Sequence, residues 1–219
     1  MKLCAVAFDM DGLMFDTEAL AIQSWIEAGK MFGLELDKTI VLLTLGVDSE
    51  GTKRIFQEHY GTGIDYPLLR KKRLDYTIAW IEQNGMPLKP GLLDLLSFLK
   101  REGYSASVAS STDRDRVMYY LQKADIVSFF HSIVTGDQVR NGKPAPDIYL
   151  RACKEMGSEP GETLALEDSP YGIQSAYRAG CLPVMVPDLA PLTADIRPLL
   201  YTKCDSLYQV IELLKKREP

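Results

Sequence analysis

The stretch "VAFDMDGLMFDTE", Val6–Glu18, decides the fold. A short apolar run ends at Phe8, and Asp9, Asp11 and Asp16 follow directly beyond it. Carboxylates held this close repel one another, and each lowers its neighbour's tendency to ionise. A purely structural loop has little reason to accept that cost, whereas a divalent cation would remove it. Residues two apart point to the same side while the chain stays extended, and Gly12 then permits a tight turn. An Asp-Gly pair after a strand also serves as a plain turn. The Asp-x-Asp-Gly combination after a buried strand is the more specific signal of a site.

Working outward, short β-rich runs alternate with helical patterns. Lys2–Phe8, Ser105–Ser110, His131–Gly136, Thr163–Glu167 and Leu182–Val186 read as strands. Between them, "GLLDLLSFLKREG", "TDRDRVMYYLQKA", "PDIYLRACKEMG" and "SPYGIQSAYRAG" carry helical spacing. In the second, Val117, Tyr120, Leu121 and Ala124 make one apolar face. Strands alternating with helices predict βαβ units and a parallel sheet covered on both faces, a Rossmann-like, doubly wound α/β fold. From about Asp16 to Asn84 no strand is expected, only helix-like stretches such as "EALAIQSWIEAGKMFG" and "PLLRKKRLDYTIAWIEQNG". The α/β pattern resumes after the Gly/Pro-rich "NGMPLKPG". The expected organisation is therefore an α/β core from 1–15 and 86–219 with an α-helical domain, 16–85, inserted after the first strand.

Of the 219 residues 46% are hydrophobic and 25% charged, the balance of a globular chain with a sizeable core. The net charge of −5 argues against a nucleic-acid partner that relies on a basic surface, and "RKKR" at Arg70–Arg73 is expected to be a solvated helix face. No apolar run approaches the roughly 18–20 residues that span a bilayer, and the segment before Asp9 is short for a secretory signal. Cys4, Cys153, Cys181 and Cys204 lack metal-ligand spacing and are expected to be reduced core thiols. The expectation is a cytoplasmic monomer, with neither nucleic acid nor membrane as a partner.

Parallel α/β sheets bind ligands beyond the carboxyl ends of their strands, and three further motifs fall there. "VASST", Val108–Thr112, ends a strand in hydroxyls ahead of a helix whose first amides are unsatisfied, a setting for phosphate. Ser111 or Thr112 also suits as a cap for that helix, with Asp115 completing a capping-box-like pattern and Ser110 left for a ligand. "NGKPAPD", Asn141–Asp147, sets Lys143 before Pro144, which restricts its backbone to extended conformations. Such rigidity suits a lysine whose direction matters, for instance one pairing with phosphate and carboxylate oxygens. "LALEDSPYGIQ", Leu164–Gln174, puts Glu167 and Asp168 at a strand end, with Ser169 as N-cap and Pro170 at the first helical position. Acidic residues there also serve as dipole partners. Hard oxygen ligands with room for water describe Mg2+.

The order FDMDGLMFD, VASST, GKPAPD, LEDSPYGIQSAYRAG resembles the haloacid dehalogenase superfamily, and within it the phosphatase and β-phosphoglucomutase-like branch whose helical cap follows the first motif. The resemblance covers essentially the whole chain. It implies that Asp9 is the nucleophile and Asp11 the general acid/base, with Ser110 and Lys143 holding the phosphoryl group. Substrate-binding residues would be Ser110, Ser111 and Lys143. Asp9, the main-chain carbonyl of Asp11 and Asp168 would bind Mg2+, and Glu167 would assist directly or through water. Asp16, with Thr17, is read as structural or cap-facing. The substrate implied is a small phosphorylated metabolite, and the resemblance leaves two reactions on it, monoester hydrolysis and phosphomutase transfer, to be decided by the cap. In β-phosphoglucomutases of this branch a cap stretch Lys-Gly-x-Ser-Arg grips a second phosphate. The matching stretch here is Leu43–Thr52, with Leu45 in place of the Lys and Ser49 in place of the Arg, unless Lys53 or Arg54 supplies the charge. That favours a monoester phosphatase over a mutase. Dehalogenation is disfavoured by the Asp-x-Asp pair, and a noncatalytic phosphosugar-binding module by the retention of every motif residue.

Overall fold

The computed structural model describes residues 3–44, 49–189 and 192–216. In chain order its regular elements are β1 (Ala5–Phe8), α1 (Thr17–Met31), α2 (Lys38–Leu42), α3 (Ser49–Tyr60), α4 (Tyr66–Asn84), α5 (Leu92–Arg101), β2 (Ser105–Ser110), α6 (Arg114–Lys123), β3 (Ser132–Thr135), α7 (Asp147–Met156), β4 (Thr163–Glu167), α8 (Pro170–Arg178), β5 (Leu182–Met185), β6 (Thr202–Lys203) and α9 (Leu207–Lys215). The chain divides into two compact units, Met1–Phe15 with Leu88–Pro219, and Asp16–Pro87.

The first unit is a six-stranded sheet in the order β3-β2-β1-β4-β5-β6, with every paired strand parallel. This is the Rossmann-like α/β arrangement that the alternation predicts. Ala7 pairs with Ser107 on one side and Ala165 on the other, so β1 is central and fully buried. Period-two alternation sends Ala7, Ala109, Val134 and Ala165 to one face, where they pack with Ile148, Tyr149, Ala152 and Cys153 of α7 and Ala176 of α8. The small strand residues let both helices lie close to the sheet. The chain runs outward from β1 to β2 and β3, then returns across β1 to β4. Strand order therefore reverses between β1 and β4, where open α/β sheets have their crevice.

Among its described residues the second unit's regular elements are all helices, α1 to α4. Trp25, Phe56, Tyr66, Leu69, Ile22, Leu36 and Val41 form its core. The Trp25 and Phe56 rings meet edge to face with centroids 4.9 Å apart. The Asp37 side chain caps α2 by accepting from the Thr39 amide, and Asp65 caps α4 by accepting from the Leu68 amide. Inside the basic run, Arg70 and Lys71 are exposed, but Lys72 and Arg73 are half-buried and the Arg73 guanidinium lies 5.5 Å from the Trp25 ring centroid. The expectation of a wholly solvated face is corrected there, because the last residue of the run turns its planar cation onto the core indole.

Several boundaries differ from the pattern reading. β1 begins at Ala5, and Lys2 lies outside the described residues. The edge strand β6 has two residues, too few for periodicity to register. α9 was not anticipated, although Leu207, Val210 and Leu214 line its buried side behind the Ser206 cap. α6 is capped by Asp113, which accepts from the Arg116 amide, and not by Ser111 or Thr112. None of the four cysteines is in a disulfide; three are buried and Cys4 is partly so. No helix among the described residues is long and apolar enough to cross a membrane.

Candidate active site

Asp9 follows β1 and Glu167 closes β4, so the crevice between these strands receives both carboxylates. The Asp9 amide donates to the Leu166 carbonyl at 3.0 Å, which prolongs the ladder to the site. Lys143 reaches them from the loop after β3. Its Nζ donates to Asp9 Oδ1 at 2.5 Å and to Glu167 Oε1 at 2.6 Å. That loop is held from two helices. Asn141 donates twice to Asp147 Oδ1, the Ser175 hydroxyl donates to the Ala145 carbonyl, and Arg178 donates to the Pro144 carbonyl. The Lys143–Pro144 peptide is cis.

Glu167 has no exposed surface and is saturated with donors. Besides Lys143, the Tyr149 hydroxyl donates to Oε1 at 2.6 Å and the Ser169 hydroxyl to Oε2 at 3.0 Å. Ser169 Oγ also accepts from the Gly172 amide, so one hydroxyl both caps α8 and holds the glutamate. A Cβ at Gly172 would lie 1.9 Å from the Glu167 carboxyl carbon, so only glycine lets the helix start approach this closely. The Lys143 ammonium lies 5.2 Å from the centroid of the Tyr149 ring. Neither Tyr149 nor Ser169 was singled out as functional from sequence. Helical spacing marks Tyr149 as a buried residue of α7, but nothing local says that it faces Glu167.

Asp9, Glu167 and Asp168 are all buried, and each offers a carboxylate oxygen within 4.8 Å of the others. Gly12 adopts φ +81°, and a Cβ there would sit 2.2 Å from Asp168 Oδ2. The missing side chain thus makes room for Asp168. Burial pushes the Asp9 carboxyl up to about 8; the Lys143 charge pulls it down, and the charges of Glu167 and Asp11 push it further up. Lys143 is raised by its two carboxylate partners against the opposing effect of burial. Three buried acids against one ammonium leave an excess of negative charge, and the donors are hard oxygens. The residues therefore fit a divalent cation of the Mg2+ type.

The Asp11 carboxylate is not part of that acidic group. Its Oδ2 accepts from the Thr112 hydroxyl at 2.8 Å. Ser110 is buried, and its Oγ accepts from the Thr112 amide at 3.1 Å. Ser111 is exposed; its carbonyl faces Gly136, where a Cβ would come within 2.3 Å of it. Sequence reasoning gave Thr112 to helix capping and so missed its contact with Asp11. Leu45, expected in place of the mutase lysine, lies outside the described residues, whereas Ser49 is exposed at the start of α3.

A parallel α/β sheet carrying acids and a fixed lysine at its switch point defines a class of phosphoryl-transfer enzymes. The family model for haloacid dehalogenase-like hydrolases matches residues 6–186, and the chain belongs to that family. It is 29% identical over 176 residues to the phosphorylated carbohydrates phosphatase of Thermotoga maritima, covering 80% of this chain and 81% of that one. To the β-phosphoglucomutase of Bacillus subtilis it is 29% identical over 199 residues, covering 88% and 87%. The crystal structure of CbbY from Rhodobacter sphaeroides in complex with phosphate is similar at a TM-score of 0.77 and 26% identity, over 95% of this chain and 96% of that one. The protein is accordingly an enzyme of the phosphatase and phosphomutase type.

Proposed function

We propose that the protein is a cytoplasmic, monomeric, Mg2+-dependent phosphatase that hydrolyses a small phosphate monoester, a sugar phosphate or related metabolite, through an aspartyl-phosphate. The observation that carries this reading is Lys143 bridging Asp9 and Glu167, with Asp168 alongside. Asp9, the Asp11 carbonyl and Asp168 would hold the cation, with Glu167 assisting. When bound, it supplies charge neutralisation between an attacking carboxylate and an anionic ester. Asp9 Oδ attacks phosphorus, the P–O bond to the leaving group breaks, and Asp11 donates a proton to the departing oxygen. Water then attacks the aspartyl-phosphate, Asp11 takes its proton, and Asp9 and inorganic phosphate are released. Lys143 and the Ser110 hydroxyl orient the phosphoryl oxygens, which suits a reaction governed by positioning and electrostatics.

The similarity to a β-phosphoglucomutase keeps a second reading in play, in which a bisphosphate is retained and turned over. On the alignment with Leu45 and Ser49, two charge-assisted bonds are missing, each contributing on the order of 1.5–3 kcal/mol. Escape or hydrolysis would then outrun rebinding. Phosphorus NMR with β-glucose 1-phosphate and a trace of glucose 1,6-bisphosphate separates the cases. Free phosphate, lost with EDTA and abolished in Asp9→Asn (at least ~10³-fold), is expected. Build-up of glucose 6-phosphate would overturn the phosphatase reading and bring Lys53 or Arg54 into the site. Full turnover by Asp9→Asn would sink the covalent route altogether.

A further inference from the structure

We propose that Thr112 is a positioning residue for proton transfer, its hydroxyl holding the Asp11 carboxylate while its amide holds the Ser110 hydroxyl. The proposal rests on the reading of Asp11 as the acid/base group. Thr112 Oγ1 donates to Asp11 Oδ2 at 2.8 Å, and the Thr112 amide donates to Ser110 Oγ at 3.1 Å. One residue therefore touches both the group that moves protons and the hydroxyl assigned to the phosphoryl oxygens.

The hydroxyl is not needed for the helix that follows. Asp113 caps α6 through the Arg116 amide at 3.1 Å, which leaves Thr112 one residue outside the cap. Its backbone is pinned from the neighbouring strand end, where the Gly136 amide donates to the Thr112 carbonyl at 3.1 Å. Because a β-branched side chain has a stiff first torsion, a pinned backbone means a fixed hydroxyl direction. While that hydroxyl donates to Oδ2, a proton carried by Asp11 rides on Oδ1, and rotation of the carboxyl group is restricted. Proton transfer requires donor and acceptor within roughly 2.6–3.2 Å, so a carboxyl that loses the Thr112 donor spends less of its time aligned. At Ser110, accepting the amide occupies an oxygen lone pair and leaves the hydroxyl proton to point at an anionic oxygen.

The test uses p-nitrophenyl phosphate, whose leaving group needs no proton, and rapid acid quenching to trap the phosphoenzyme. Formation of the phosphoenzyme then reports attack by Asp9, and its decay reports the water step in which Asp11 is the base. Thr112→Val keeps the branched shape and removes the donor. Formation is expected within about twofold of the parent and decay slower by about tenfold, part of the 10²–10⁴-fold that a positioned acid/base supplies. Thr112→Ser is expected to restore decay. In an Asp11→Asn background, Thr112→Val is expected to change decay by less than about twofold, since residues acting as a unit are not additive. Equal slowing of both phases would overturn the proposal, because Thr112 would then act on the phosphoryl group or the fold. Unchanged decay, or a full further loss in the Asp11→Asn background, would overturn it too. The reading beneath it fails differently: no trapped phosphoenzyme in the parent, or normal decay in Asp11→Asn alone, removes the covalent route or the role of Asp11, and the proposal goes with it.

Discussion

At the scale of single residues, the site is a problem in charge. Asp9, Glu167 and Asp168 are buried together, and Lys143 is the ammonium that faces two of them. Burial raises Asp9 to about 8 from an ordinary 3.8. A raised carboxyl binds its proton more tightly folded than unfolded, so its contribution to stability is present at low pH and is lost as pH climbs from 3.8 to about 8. A cation held there as proposed would reverse that trend, because it would bind the ionised form and displace the proton. The Mg2+-induced rise in melting temperature should therefore be larger at about pH 8.5 than at about pH 6, with EDTA as the reference. Thermal unfolding at both values tests this. A shift independent of pH would show that Asp9 is not ionised by the metal.

At the scale of elements, α8 is the device that turns a strand end into a site. Ser169 satisfies the Gly172 amide and donates to Glu167, and the glycine brings the helix backbone against the carboxylate. Gly172→Ala gains intrinsic helix propensity of roughly 1 kcal/mol. It nevertheless places a methyl group 1.9 Å from the Glu167 carboxyl carbon, which itself has no exposed surface into which to retreat. The clash should win, with a net loss of about 1–3 kcal/mol in urea unfolding and weaker Mg2+ binding by calorimetry. A stabilised variant with unchanged affinity would mean that Glu167 can move without consequence. The β1 end behaves likewise, since Gly12 at φ +81° leaves the space that Asp168 occupies.

At the scale of the whole molecule, two units have separate cores. The helical unit is built on Trp25, Phe56 and Tyr66, whose rings pack at angles suited to aromatic pairs. Both tryptophans, Trp25 and Trp80, belong to Asp16–Pro87, so their fluorescence reports that unit. Phe56→Ala leaves a cavity beside Trp25 and should cost about 3–5 kcal/mol in the fluorescence-detected transition. The acids and Lys143 all lie in the other unit, and Mg2+ affinity should be unchanged. A fall in affinity comparable to that of a site variant would show that the helical core sets the site. The sheet contributes at this scale too, because the reversal of strand order at β1 and β4 is what brings Asp9 beside Glu167.

What could be read without coordinates was local in origin. Period-two and period-3.6 patterning placed β2 and β4 to the residue and α5 to α8 within a residue or two, since those patterns record which side of each element is buried. Asp9, Asp11, Ser110, Lys143, Glu167 and Asp168 could be singled out because each stands at or just past a strand end or in a Gly/Pro-restricted loop, a setting that chain chemistry alone defines. The contacts between them could not. Lys143 meets Asp9 across 134 positions of sequence, and Thr112 meets Asp11 across 101. No local rule chooses among the hydroxyls of "VASST", and the capping pattern pointed to the wrong role for Thr112. Tyr149 reads only as a buried helix residue until α7 packs against the sheet and turns its hydroxyl onto Glu167. Sequence by itself determined most of the elements, though not β6 or α9, and named the candidate groups, because burial pattern and turn chemistry are properties of neighbours in the chain. Tertiary packing alone decided which oxygen faces which donor, because a hydrogen bond depends on tenths of an ångström that only the assembled sheet and helices set.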